Sequence, residues 1–327
     1  MINSALANPF LLPAASCMNV FKGILLKLIS ALLFAVMSAL IRGLGDIVPV
    51  GQVVFFRSAF AIVPVVIIYA ARRELGTAVR TGRPLGHLGR GIISVFGMFL
   101  SFAALARLPL VDATALSFAS PLITVALAAL ILKERVRIYR WSAVVAGFVG
   151  VIVMLTPFFD FRHIDGGMAS VQAIGAMLAI SAAFCNAGTV IQTRRLTDSE
   201  TTSAIVFYFS LFCAIAGLCT LPFAWHPPTG RELTALICIG LLGGFSHILL
   251  TESYRYAPAS VVAPFDYTAM IWAFVLGYLL FGETPTALVF VGALIVAAAG
   301  LFVIWRERRL GIVRARARAK ARAPTPG

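Results

Sequence analysis

The sequence predicts an all-α membrane protein of ten transmembrane helices, arranged as two inverted five-helix repeats. Three observations predict it. Of the 327 residues 60% are hydrophobic and only 12% charged; apolar stretches of spanning length recur from end to end; and the second half repeats the pattern of the first. A hydrocarbon core about 30 Å thick takes roughly 20 apolar residues per helical crossing, at about 1.5 Å of rise each. On that measure spans fall at 23–43, 52–71, 88–106, 110–132, 139–156, 171–192, 203–224, 233–253, 257–281 and 286–305. The loops between them are short and leave no room for a sizeable soluble domain.

The formal net charge of +14 would suit nucleic acid if the basic residues clustered on one folded surface. Their positions along the chain argue against that partner. With a cytoplasmic N-terminus, one side of the membrane collects Lys22, Arg72, Arg73, Arg80, Arg83, Arg90, Lys133, Arg135, Arg137, Arg140, Arg194, Arg195, Arg255 and the tail residues from Arg306 to Arg322, 21 in all. The other side collects 4, Arg42, Arg107, Arg162 and Arg231, while Lys27 and Arg57 fall inside spans. Lys and Arg are held on the cytoplasmic side during insertion, so the asymmetry predicts a multi-pass protein of the bacterial inner membrane with both termini inside.

Residues 1–21 contain no Lys or Arg, so the basic start of a secretory signal is missing; they read as a leader, with Met18 as a second candidate start. The tail 306–327 alternates Arg or Lys with Ala and reads as irregular and topology-fixing, with adhesion to anionic headgroups as the alternative. The five cysteines form no C-x-x-C pair and read as small apolar residues, so neither a metal nor a cofactor is expected.

Placing residues 106–155 on 256–304 aligns Pro109 with Pro258 and Glu134 with Glu283, and one added residue brings Gly150 onto Gly300. Earlier in each half Phe96-Gly97 matches Phe245-Ser246, and Val54-Phe55-Phe56-Arg57-Ser58 matches Val206-Phe207-Tyr208-Phe209-Ser210. The units are therefore 22–156 and 171–305, with a periplasmic connector at 157–170. Five spans is an odd number, so the second unit enters from the opposite face. Inverted units can rock between inward-open and outward-open states.

This repeated block, with a Pro in the fourth helix, an acid at that helix's end and a small-residue fifth helix, resembles the EamA repeat of the drug/metabolite transporter superfamily. Lys22-Gly23, the Val54–Ser58 stretch and the run from Leu249 to Glu283 are more narrowly similar to the riboflavin-importer branch of proteobacteria. The neighbouring S-adenosylmethionine uptake proteins and metabolite exporters share much of that pattern. The resemblance implies a carrier for a small organic metabolite, with riboflavin uptake as its specific form.

Candidate substrate contacts follow from polar residues at membrane depth. Thr114, Ser117, Pro121 and Thr124 share one helical face, bordered by Ser120; such a stripe turns toward other helices or a water-filled cavity. The repeat register carries Ser117 onto Asp266. An Asp at a helix centre costs roughly 2.5 to 3.5 kcal/mol, so it is paired with Arg57 or a hydroxyl, or it contacts substrate or a proton. Arg57 either snorkels to the periplasmic interface or faces the cavity. Phe118, Tyr267 and Trp272 offer stacking surfaces. Asn186 sits on a polar face of the sixth span, and His247, with no second ligand at i+3 or i+4, reads as hydrogen-bonded packing ahead of a metal ligand or a substrate contact. Glu134 and Glu283 read as gate acids or solvated helix ends.

The small-residue rows Ala143-x-x-x-Gly147, Ala146-x-x-x-Gly150 and Ala293-x-x-x-Ala297 allow close helix contact, within the chain or in a homodimer through the fifth and tenth helices. No H-E-x-x-H, G-x-S-x-G or glycine-rich phosphate loop is present, which argues against a membrane enzyme with catalytic residues. Few intramembrane acids and inverted repeats argue against a channel. Uptake of S-adenosylmethionine and export of an amino-acid-like or drug-like metabolite stay open beside riboflavin.

Overall fold

The computed structural model describes residues 20–45, 47–71, 81–131, 138–159, 168–196, 200, 202–257 and 259–322. They are helical, with no strand among them, and ten units follow in order: α1 Val20–Leu44, α2 Val50–Ala71, α3 Pro84–Arg107, α4 Leu110–Ile131, α5 Ile138–Leu155, α6 Met168–Leu196, α7 Thr202–Cys219, α8 Gly230–Tyr256, α9 at 259–281 and α10 Ala287–Arg322. Among the described residues nine helices are long and apolar enough to cross a membrane, and α2 adds a shorter apolar stretch, Val50–Pro64.

Local chemistry sets the ends. α3 opens on Pro84, whose missing N–H costs nothing at the first helical position, and stops where Leu108 turns extended ahead of Pro109. Thr229 and Glu232 cap the start of α8 reciprocally. α9 ends on Gly282 in the left-handed region, φ 64°, a conformation that only glycine adopts without strain.

Two of the ten helices are broken near mid-membrane. α4 divides at Phe118 into Leu110–Ser117 and Ala119–Ile131, because Pro121 lacks an N–H and its ring crowds the carbonyl four residues back. α9 divides into Ala259–Val262, a 3-10 stretch Ala263–Tyr267 that contains Pro264, and Thr268–Phe281.

α3 packs on α6 and α1 on α8; α4 lies on α6 and α9 on α1; α2 contacts α7 and α8, α7 also contacts α3, and α5 pairs with α10. The α5–α10 contact is backbone on backbone: a Cβ at Gly150 would stand 2.8 Å from the Gly292 carbonyl, and one at Gly292 would stand 2.9 Å from the Met154 nitrogen. Gly147 faces Leu122 of α4 instead. The small-residue seam is thus filled within one chain. The outward faces of both helices, with Val145, Val149, Ile152, Phe290 and Leu294, stay apolar and exposed, the surface a lipid bilayer covers. One difference from the sequence reading lies in the tail, where helix α10 continues to Arg322. Ala and Arg are both strong helix formers, so an alternating run of them propagates a helix already begun.

Candidate substrate cavity

A cavity of about 210 Å³ opens between α1, α3, α4 and α6, lined by Phe34, Ser38, Ser101, Thr114, Ser117 and Asn186 among small alanines. Three sequence candidates therefore meet here. Thr114 Oγ1 donates to the Leu110 carbonyl at 2.7 Å and Ser117 Oγ to that of Thr114 at 2.6 Å. With each proton given to the helix's own backbone, what the two hydroxyls hold toward a ligand is an acceptor oxygen. Thr124 is buried and gives its proton to the backbone carbonyl of Ser120, at 2.8 Å, and neither residue is in the cavity lining. Phe118, Asp266, Tyr267 and Trp272 are outside the cavity lining, Tyr267 facing a separate apolar pocket between α9 and α10, and the Trp272 indole N–H is buried without a partner.

The two helix breaks meet each other. Phe118 and Tyr267 stack with centroids 4.9 Å apart and planes 19° off parallel, an arrangement worth about 0.5–1.5 kcal/mol beyond its burial. Gly300 of α10 leaves the room that the Tyr267 hydroxyl occupies. Asp266, in the 3-10 turn beside Tyr267, pairs with Lys27 of α1. This corrects the expected partners, Arg57 or a hydroxyl. The lysine side chain is only 3% exposed and the aspartate 49%, so the pair presents a carboxylate to open space over a submerged ammonium that also lies 5.6 Å from the Tyr254 ring.

Arg57 neither snorkels nor reaches the cavity lining: it is 5% exposed, its Cγ and Nε lie against Gly243, and its guanidinium is 5.6 Å over the Phe209 ring. Its Nη2 contacts His247 Nε2 at 3.0 Å; because a guanidinium only donates, Nε2 must be the bare nitrogen of that imidazole. Its Nε and Nη1 have no partner. His247 stands edge-on to Phe34 of the cavity wall, centroids 5.0 Å apart, so it sits one layer behind the cavity, and no cluster able to hold a metal exists among the described residues.

A second polar constellation lies at the ends of α1, α3, α4 and α9. Glu283 accepts from the Leu110 backbone N–H at 2.7 Å and from Arg42 Nε at 3.1 Å, while Arg42 Nη1 donates to the Ala106 carbonyl at 2.8 Å. One carboxylate thus ties four helix ends together, using the exposed N–H at the start of α4. Its repeat counterpart Glu134 lies outside the described residues. Close by, Asp112 is 4% exposed and its Oδ1 has no hydrogen-bond partner.

Sequence reasoning passed over Lys27, Arg90 and Asp112. Arg90 was counted as an interfacial charge, yet it is buried, donating to Thr193 at 2.7 Å and to the Ile205 carbonyl at 3.0 Å. Lys27 could have been found as the one lysine well inside a span. Asp112 resembles an ordinary first-turn acid, which the helix dipole alone would explain.

A bundle of membrane-length helices, two of them broken beside a small cavity, is an architecture that membrane carriers use. The chain belongs to the EamA-like transporter family, whose model matches residues 21–156 and 173–306. It is 32% identical to the pseudopaline exporter of Pseudomonas aeruginosa, over 85% of this chain and 94% of that one. It is 30% identical to the S-adenosylmethionine uptake transporter of Rickettsia prowazekii, over 87% and 92%, and 32% identical to the riboflavin transporter of Rhizobium johnstonii, over 72% and 76%. A solved crystal structure shares the fold at TM-score 0.62 and 20% identity, covering 88% of this chain and 97% of that one.

Proposed function

We propose that this transporter carries riboflavin into the cell across the bacterial inner membrane, by alternating access of two inverted five-helix halves. The observation that carries the reading is the cavity in which the hydroxyls of Thr114 and Ser117 and the amide of Asn186 meet Phe34 and a wall of alanines, beside the broken helix α4. A flat, partly apolar ring system suits Phe34 and the alanine wall, and a hydroxylated chain suits the acceptor oxygens of Thr114 and Ser117 and the amide of Asn186.

The helix packing supports the two-half reading. Exchanging α1–α5 with α6–α10 turns the α3–α6 contact into α8–α1, α2–α8 into α7–α3 and α4–α6 into α9–α1, and leaves α2–α7 and α5–α10 unchanged. The same register pairs Phe118 with Tyr267, the two residues that stack. Both termini are cytoplasmic in this account, which the 21-to-4 distribution of basic residues supports.

The Lys27–Asp266 pair favours a second reading, uptake of a zwitterion such as S-adenosylmethionine, since a half-exposed carboxylate over a buried ammonium could exchange partners with an amino-acid group. Growth separates the two. In a riboflavin-auxotrophic bacterium at limiting external riboflavin, expression of this chain restores growth; no gain over empty vector, with the protein present in the membrane, passes the preference to the zwitterion.

A further inference from the structure

We infer that Asp112 is a proton-binding site that controls closure of the outer face, an inference that rests on the alternating-access reading and its orientation. The carboxyl is 4% exposed, its Oδ1 has no hydrogen-bond partner, and among the described residues no ion pair reaches it. An ionised carboxylate in such a place costs several kcal/mol, whereas the neutral acid costs far less.

The described charged groups at this end of the bundle come from three helix ends. Arg42 of α1 is committed to Glu283 and to the Ala106 carbonyl. Arg107 of α3 turns its Nη1 back to the Ala103 carbonyl at 2.9 Å. Glu283 of α9 is a negative neighbour held by the Leu110 N–H, two residues before Asp112. The segments of α5, α6 and α10 that pack on this end bring no charge among their described residues. Among the described residues no cation pairs with Asp112, and Arg42, which pairs with Glu283, is already engaged, so a second negative charge would lie beside Glu283 without compensation.

Closure and protonation are therefore one event. With the outer face open, water solvates Asp112 as a carboxylate. When the ends of α1, α3, α4 and α9 draw together through Glu283, one Asp112 oxygen takes a proton from the water on that face, and opening returns it. Low external pH then favours the closed arrangement seen here, and high external pH favours opening.

Labelling of a cavity cysteine tests this without reference to any substrate. Ser38→Cys in the full-length chain is exposed in cells to a membrane-impermeant thiol reagent at about pH 5.5 and about pH 8, a span within which a buried carboxyl changes its charge more than an exposed one. Its rate is taken in excess of the parent chain and relative to a loop reporter, Pro227→Cys. The relative rate should rise several-fold at the higher pH, stay low and flat in Asp112→Asn, which keeps the shape of the neutral acid, and regain its pH dependence in Asp112→Glu. A flat profile in the parent, or an undiminished one in Asp112→Asn, overturns the inference. If Pro227→Cys reacts only in opened cells, the orientation is wrong, and an Asp112-dependent profile at the other face still upholds the proton site.

Discussion

Lys27 and Asp266 carry unequal shares of their ion pair. Removing one partner of a buried pair costs roughly 3–5 kcal/mol because the other is left charged and dry, but here only the lysine is dry. Asp266→Asn strands a submerged ammonium, whereas Lys27→Met leaves a half-exposed carboxylate that water can solvate. Thermal unfolding in detergent should show the larger loss of melting temperature for Asp266→Asn, with much of it recovered when Lys27→Met is added. Equal losses from the two single variants would contradict the burial asymmetry. Asp266 was legible in the sequence because an acid at a helix centre is expensive wherever it points. Its partner was not, because pairing α1 with α9 is a fact of tertiary packing that spacing along either helix does not encode. Arg57 failed for the same reason: its neighbours Phe209, Gly243 and His247 come from α7 and α8, far away in the chain.

At the scale of helices, close approach and loop anchoring make separate demands. Gly150 and Gly292 let α5 and α10 meet backbone to backbone, so Gly292→Leu should force the helices apart and lower the melting temperature by several degrees, while Gly89→Ala, with nothing within 4 Å of the added carbon, should not. On the side the charge asymmetry makes cytoplasmic, Glu200 binds the segment before α3 to the one before α7. Burial alone would raise its carboxyl. The Gly82 N–H, His87, the Thr81 hydroxyl and the Arg83 N–H instead hold it below the usual range. A depressed carboxyl stabilises the fold above its unfolded value and loses that contribution as pH falls through its folded one. The gap in melting temperature between the parent and Glu200→Gln should therefore be widest near neutrality and shrink in acid; a constant gap would contradict it. The span positions were readable to within a few residues, since hydrophobic length is a local property. The break in α9 was less so, because Pro264 has no proline at the matching position of α4, Ala115, and the helical tail was not legible from its charge, since helix propensity decides there.

Over the whole molecule the proposed inverted halves rest most openly on the sequence, since Pro109 with Pro258 and Glu134 with Glu283 mark the register there. The orientation makes a definite prediction: an alkaline phosphatase fused after Gly311 is inactive and one inserted at 160–168 is active; the reverse pattern would contradict the orientation, and two fusions reporting the same side would contradict the inverted arrangement. The substrate was the least legible, because hydroxyls, an amide and two rings suit many metabolites, and the relatives named for an exporter, for S-adenosylmethionine uptake and for riboflavin are similarly distant. The most direct test of a carrier for riboflavin is counterflow. Proteoliposomes holding the purified chain are loaded with unlabelled riboflavin and diluted into a trace of labelled riboflavin. An alternating-access carrier exchanges the two, so label should rise inside above the external level and then decline. Label that only approaches the external level, with no overshoot, would show an open pathway instead, and label that does not enter beyond protein-free vesicles would remove riboflavin as the substrate.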